Sequence, residues 1–489
     1  MEHSKLSAHR FRKGKFITPM NAVMSGIGQH DSWYHGRVPE YLWLGLILDH
    51  YGRDVGLSKC NLILKSLRKI APEMVIPRLS SVFALDEKVQ TEFYDCVLAV
   101  VPREVLCPLT CIFTYSHHPA FTKAFLKSDV SVEDRFATVV RLLKEISDHQ
   151  SHLSTDIRFL VLYLGLLSGK MHMPEEMLLN VLEYPKCSHD DERMRKLRPT
   201  IRAMELAFRE VGFNQDTRNK AYLQSFWKDV SRMGDCELFY LEFAEPKPDA
   251  KDYSERVKRI LEYYAELQGA ANPIDNKMLV LLGIATYSFK RLSELVRHEL
   301  YHEISGRGII RVLVEDYIMM KYLLKNEADR SDIWSEFQSY GIGQYKIIVA
   351  KWRDSGKDLK TSHVAYEYMS ILVNEHMDEE FLDMDTSYFD KQPIRLKAED
   401  VGEKELYSLY YDYDSAFEHG LWGAIRESSL IKCNSSVHQY HCVPDIEDRQ
   451  KLKSVWHDCV RVMDMTLGIL EGIYGLRTSV KDGDNCAED

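Results

Sequence analysis

Six consecutive residues, Arg297-His298-Glu299-Leu300-Tyr301-His302, carry types and spacings that fit two unrelated chemistries. On one continuous helix, His298 and His302 lie four apart on a single face and can reach one ion, while Glu299 polarises a metal-bound water. That scheme is a zinc-dependent hydrolysis, and it requires a third protein ligand, for which Glu315, Asp316 and His419 are the candidates. Read instead as Arg, a polar residue, three free positions and His, the same stretch suits metal-free cleavage of a phosphodiester. Arg297 then holds the phosphate and stabilises its developing charge, His302 moves protons between a ribose 2′-hydroxyl and the leaving oxygen, and His298 polarises or orients. A third reading gives the stretch no chemistry: charged residues on an amphipathic helix keep its outer face soluble.

Two further groups of polar residues lie downstream. Arg311 and Glu315 are four apart in the otherwise apolar run from Ile309 to Leu324, which predicts an intrahelical ion pair. Tyr411, Ser415 and His419 recur at the same interval between Glu405 and Arg426, and one helical face bearing all three is costly to bury unless its groups are satisfied. If His419 faces Arg311 and Glu315, a cleft with an acid, a base and a cation results; otherwise these groups orient helices by hydrogen bonding. The segment Cys433 to Cys442 holds two thiols and two imidazoles, His438 and His441, donors soft enough for zinc. It lacks the paired spacing of zinc fingers and has no second pair nearby, so a loop ordered by hydrogen bonds is expected. His117 and His118, adjacent in sequence, would point apart on a helix.

The elements that must position these groups are helical. Apolar residues recur at intervals of three and four in Val139–Ile146 and Tyr253–Leu267, and no stretch reads as a strand ladder. The expected fold is mainly α, a helical N-terminal domain plus a C-terminal α-helical bundle. Ser131 and Asp275 each precede an apolar-periodic run as capping residues. From Ala285 to Lys325 the helical pattern is nearly continuous, and Gly306 and Gly308 are expected to weaken or end the first of two helices. Two prolines amid charges at Glu245–Asp252 mark a boundary. The expected organisation is residues 1–244 as one domain, 245–253 as linker, 254–478 as the bundle and 479–489 as a disordered tail.

Composition narrows the function classes. With 489 residues, 45% hydrophobic and 28% charged, the chain can build two or three packed domains. Its longest apolar run, Phe159 to Leu167, is about half the length needed to cross a bilayer and reads as a buried helix, so no membrane association is expected. The basic start has no apolar stretch behind it, which argues against a signal peptide and for the cytoplasm. Ten cysteines without a CxxC pair read as reduced thiols. A net charge of −11 disfavours sequence-independent coating of nucleic acid while leaving room for a small basic cleft. No Gly-rich phosphate cradle is present.

Residues 276–430 resemble a bacterial domain-of-unknown-function family (DUF5677-like), on Arg311 with Glu315, Trp334 with Tyr340-Gly341, and Tyr411 with Ser415 and His419. The resemblance implies an α-helical bundle and no established activity. The stretch Arg37 to Trp43 looks like the extension of longer members, with no chemistry attached. Arg297, His298 and His302 in an all-helical setting are also similar to HEPN-type ribonucleases, which implies a dimer whose two motifs converge on one RNA cleft, as in toxins and antiviral effectors. The resemblance to zincins is confined to His298–His302, with no upstream sheet to bind a peptide. The leading expectation is a cofactor-free, HEPN-like endoribonuclease of phage defence or a toxin system, acting on RNA as a homodimer or larger homo-oligomer. The alternatives are a hydrolase or peptidase with zinc on His298, His302 and Glu315 or His419, and a non-catalytic helical interaction or scaffold protein.

Overall fold

The computed structural model describes residues 5–19, 22, 32–113, 118–170, 175–210, 217–243, 249–271, 275–356, 362–438, 441–477 and 480. The prolines of the boundary at 245–248, the tail at 479 and 481–489, and His117 lie outside them. The chain divides into two compact units, Met1–Phe239 with Cys433–His441, and Tyr240–Lys432 with Cys442–Asp489. Both are helical, as expected, and the strands are short. Arg10–Arg12 pairs antiparallel with Lys15–Ile17, placing Phe11 opposite Phe16. Leu430–Cys433 pairs antiparallel with Cys442–Pro444, placing Ile431 opposite Val443. No helix among the described residues is long and apolar enough to cross a membrane.

In the first unit the apolar run lies inside the helix His152–Leu167, where Phe159, Leu160, Val161, Leu162 and Leu164 are buried. This helix packs against Val38–Tyr51, Arg53–Ile70 and Met194–Glu210. Val38–Tyr51 is apolar on nearly all sides and is accordingly buried along most of its length. Ser131 caps the helix Val132–Ser147 by accepting from the Asp134 amide at 3.0 Å. The charged residues of Arg37–Trp43 serve this core: Arg37 donates to Glu205 at 2.5 Å, and Glu40 accepts from the Ser80 amide and hydroxyl at 2.9 and 2.6 Å.

The core of the second unit lies among the helices Ala250–Ala271, Asn276–Arg297, Ile304–Asn326 and Trp456–Tyr474, with Leu281, Leu292, Val314, Ile318 and Met463 fully buried. Asp275 caps the second of these by accepting from the Met278 amide at 3.1 Å. The interruption expected at the two glycines comes earlier in the chain. The first helix ends at Arg297, Glu299 adopts a left-handed conformation (φ 53°), Leu300–His302 forms one 3-10 turn, and the next helix starts at Ile304. Gly306 and Gly308 therefore sit in the opening turns of a helix, where close packing explains them. A Cβ at 306 would lie 2.3 Å from the Leu300 carbonyl oxygen, and one at 308 would lie 2.1 Å from Glu418 Oε1.

Candidate functional site

The break at Glu299 corrects the premise of the zinc scheme, that His298 and His302 lie on one continuous helix. Arg297 is the last helical residue and is exposed, His298 is exposed in the following turn, and His302 is half-buried in the 3-10 turn. Tertiary packing holds the chain in this shape. Tyr301 is buried, edge-on to Trp456 with ring centroids 5.7 Å apart. Its carbonyl accepts from the Val455 amide at 3.1 Å, and that of His302 accepts from Leu452 at 3.2 Å. His302 Nδ1 lies 2.9 Å from the Leu452 carbonyl, so Nδ1 carries a proton and donates it there. His298, His302 and Glu315 are not brought to one point. Among the described residues, metal donors converge elsewhere, in the first unit, at Cys236, Cys433, His438 and His441.

The polar residues of the second constellation do meet. Arg311 donates through Nε to Ser415 Oγ at 3.0 Å and through Nη2 to the Tyr411 hydroxyl at 2.7 Å, with its guanidinium carbon 4.6 Å from the Tyr411 ring centroid. Glu315 lies 3.6 Å from the same Nη2, the expected intrahelical pair, and its other oxygen accepts from the Tyr388 hydroxyl at 2.7 Å. Tyr407 stacks on Tyr411 at 4.8 Å. The helix Ile304–Asn326 is thereby tied to the segment bearing Tyr388 and to the helical stretch 407–418. The side chains of Arg311 and Glu315 remain 22% and 25% exposed, so the network lies at the rim of the core.

His419 does not join this group. The helix Asp412–Glu418 ends at it, its amide closes the last turn on the Ser415 carbonyl at 3.0 Å, and the chain reverses at Gly420 (φ 57°), leaving the side chain exposed. No hydrogen bond or ion pair between His419 and Arg311 or Glu315 is found among the described residues. Tyr388 carries no signal in the sequence. It stands 73 residues from Glu315, and no periodicity links the two.

Burial governs the titration of the surrounding groups. It raises the Tyr411 and Tyr388 hydroxyls, and the nearby Glu315 carboxylate adds to the effect at both. Burial also pushes Asp316 up to about 7, against a 2.7 Å hydrogen bond from Ser288. Asp414 is likewise pushed up to about 7 by burial, despite the attraction of Arg307. Arg307 itself is buried, donates to the Lys453 carbonyl and lies 5.9 Å from the Phe417 ring centroid.

A cleft of about 620 Å³ in the same unit is lined by Arg330, Glu336, Asp383, Asp385, Asp390 and Lys391 among others. Arg330 is ion-paired to Asp390 at 2.5 Å and also to Glu336. With its carboxylates outnumbering its cations, this wall is a poor match for a phosphate backbone.

Residues 275–437 match the model of a family of unknown function, DUF5677. The match spans the Arg311–Glu315 helix, Trp334, Tyr340 and the segment from Tyr411 to His419, which bears out the family resemblance of this region. No comparison links the chain to HEPN-type ribonucleases. No curated protein and no solved structure matches the chain.

Proposed function

We propose that the second unit, which holds most of residues 275–437, is a non-catalytic helical interaction module that pairs with a second copy of the chain through apolar side chains around Trp422. The observation that carries this reading is the use of the polar residues: Arg311 and Glu315 are bonded to Ser415, Tyr411 and Tyr388 within the unit, so they brace helices instead of facing a ligand. Satisfied side-chain networks of this kind rigidify a bundle and specify one packing of it.

Several large apolar side chains close to the brace in sequence are exposed. Leu409 is 60% and Trp422 69% exposed, and Tyr413, Leu421 and Ile425 are exposed as well. The helices Asp412–Glu418 and Trp422–Ser428 pack together, and the Tyr413 hydroxyl bridges them by donating to Glu427 at 2.7 Å. Soluble monomers seldom expose contiguous apolar patches of large side chains, and Trp and Tyr are common anchors of interfaces. A two-fold dimer, the commonest closed assembly, would cover these side chains with their own copies.

The test is the solution mass of the full chain by light scattering across a dilution series. A dimer that becomes monomeric in Trp422→Glu and in Leu409→Glu supports the reading, whereas a wild-type chain that stays monomeric at every concentration overturns it. A second arm addresses catalysis. Single-stranded RNA should survive incubation with wild type and with Arg297→Ala or His302→Ala alike, and cleavage that disappears in either variant would replace this reading with the ribonuclease.

A further inference from the structure

We propose that Cys236, Cys433, His438 and His441 hold a structural zinc ion within the first unit. The segment Cys433 to Cys442 has no second pair of donors near it in sequence; the fold supplies Cys236, 202 positions before His438 and 205 before His441. Cys433 ends the strand Leu430–Cys433, His438 and His441 lie between it and the strand Cys442–Pro444, and Cys236 follows the helix Thr217–Ser231. One donor atom from each of the four lies within 4.8 Å of all the others. Cys442, the remaining thiol of that segment, is not in the group.

The separations suit one tetrahedral ion. Bonds of about 2.3 Å to sulfur and about 2.0–2.1 Å to nitrogen place neighbouring S and N ligands roughly 3.6 Å apart. Cys433 Sγ lies 3.3 Å from His438 Nδ1, and Cys236 Sγ lies 3.5 Å from His441 Nδ1 and 3.7 Å from His438 Nδ1. The two imidazole rings stand perpendicular, 4.9 Å apart between centroids. His438 Nε2 faces the carbonyls of Gly234 and Ser231 at 3.1 and 3.3 Å, which places its proton on Nε2 and aims the Nδ1 lone pair into the cluster. Such carbonyl partners are the usual outer contacts of a metal-bound histidine.

Pairwise hydrogen bonding accounts for the cluster less well. A thiol has one proton, yet Cys236 lies near two imidazole nitrogens, and His438 Nδ1, with one lone pair, lies near two thiols. A single cation satisfies all four donors at once. Two thiolates and two imidazoles favour zinc over magnesium or calcium, and four protein ligands leave no open position for hydrolysis, so the role is structural.

The surroundings hold the loop in place for this. Val437 is buried in the core of the first unit, and a Cβ on Gly234 would lie 2.4 Å from its Cγ2, so the chain leading to Cys236 runs flush against the loop. The Ser436 carbonyl accepts from the Tyr34 hydroxyl, and the Asn434 amide donates to the Glu237 carbonyl at 2.7 Å. Cys236 is exposed, which gives an ion a route in.

The full-length protein, purified without chelator, should carry one zinc per chain by elemental mass spectrometry. Cys236→Ser, chosen because its side chain is exposed, should lose most of that zinc, while Cys442→Ser and His298→Ala keep it. A strong chelator should lower the melting temperature of wild type, with recovery on adding zinc, and should not shift that of Cys236→Ser. Cobalt substitution should give a thiolate charge-transfer band that depends on Cys236. The proposal is overturned by a wild-type chain that neither contains nor takes up zinc, by a Cys236–Cys433 disulfide in the intact mass, by zinc retained in Cys236→Ser, or by zinc lost in His298→Ala.

Discussion

Two acids of each unit, Glu205 and Asp156 in the first and Asp316 and Asp414 in the second, meet different kinds of partner. In the first, Glu205 is fully buried against Arg37 at 2.5 Å and Arg158 at 3.8 Å, while Asp156 meets Arg53, Tyr184 and His189 at 3.0, 2.8 and 3.0 Å. Trp33 lies beside both arginines of the first group, its ring centroid 5.3 Å from the Arg37 guanidinium carbon and 4.2 Å from that of Arg158. In the second unit, Asp316 meets the Ser288 hydroxyl, and Asp414 has no ion pair among the described residues although Arg307 is near. The first arrangement locks charge in place with opposite charge. The second leaves acids whose protonation follows their burial. Ionic partners thus hold Glu205 and Asp156 in place, whereas burial raises Asp316 and Asp414.

The contrast is broken most severely at Glu205. Glu205→Gln leaves Arg37 and Arg158 buried without their carboxylate, and burial already pushes the Arg158 guanidinium down to about 10. Loss of one partner from such a buried group costs about 3–5 kcal/mol. Urea unfolding followed by circular dichroism measures it, and a variant as stable as wild type would show that the pairing does not stabilise the unit.

Arg311→Met tests a partly exposed network with hydroxyl partners. Removing a charged donor from two hydroxyls costs about 1.5–3 kcal/mol, below the Glu205 effect. A cycle with Tyr411→Phe should return a coupling of about 0.5–3 kcal/mol, and additive losses would argue that the two side chains do not act as a unit.

The smallest effect is the one with a pH signature. Asp316 titrates near 3.8 when unfolded and at about 7 when folded, so between those values the folded state holds a proton that the unfolded chain has released. Its contribution is fully present below about pH 4, declines as pH rises toward about 7, and is flat above. Asp316→Asn should flatten that decline and raise stability at neutral pH by on the order of 1 kcal/mol, after allowance for solvent screening. The urea midpoint measured from pH 4 to 8 checks it; an unchanged slope would remove Asp316 from the account.

The features legible in the sequence are those written within a few turns of chain. The caps at Ser131 and Asp275, the burial of Phe159–Leu164, the Arg311–Glu315 pair and the common reach of Tyr411 and Ser415 all follow from helical spacing. The break after Arg297 is not legible there, because neither glycine nor proline announces it. It results from Tyr301 docking on Trp456 and from backbone bonds to residues 452 and 455, a segment some 150 positions away. Gly306 and Gly308 mislead for a related reason: glycine signals a helix end and a close approach with the same letter, and only the positions of Leu300 and Glu418 tell them apart. His419 keeps the spacing of the stripe but falls where the helix ends, so it leaves the face that Tyr411 and Ser415 share.

By itself the sequence determined the mainly helical class, the position of the longest buried apolar run and the family likeness of the region from 275 to 437, because each depends on local periodicity or on motif spacing. Tertiary structure alone decided which polar residues meet. Tyr388 reaches Glu315 and Cys236 reaches His438 across loops whose closure no local pattern encodes, since such contacts depend on how whole helices pack.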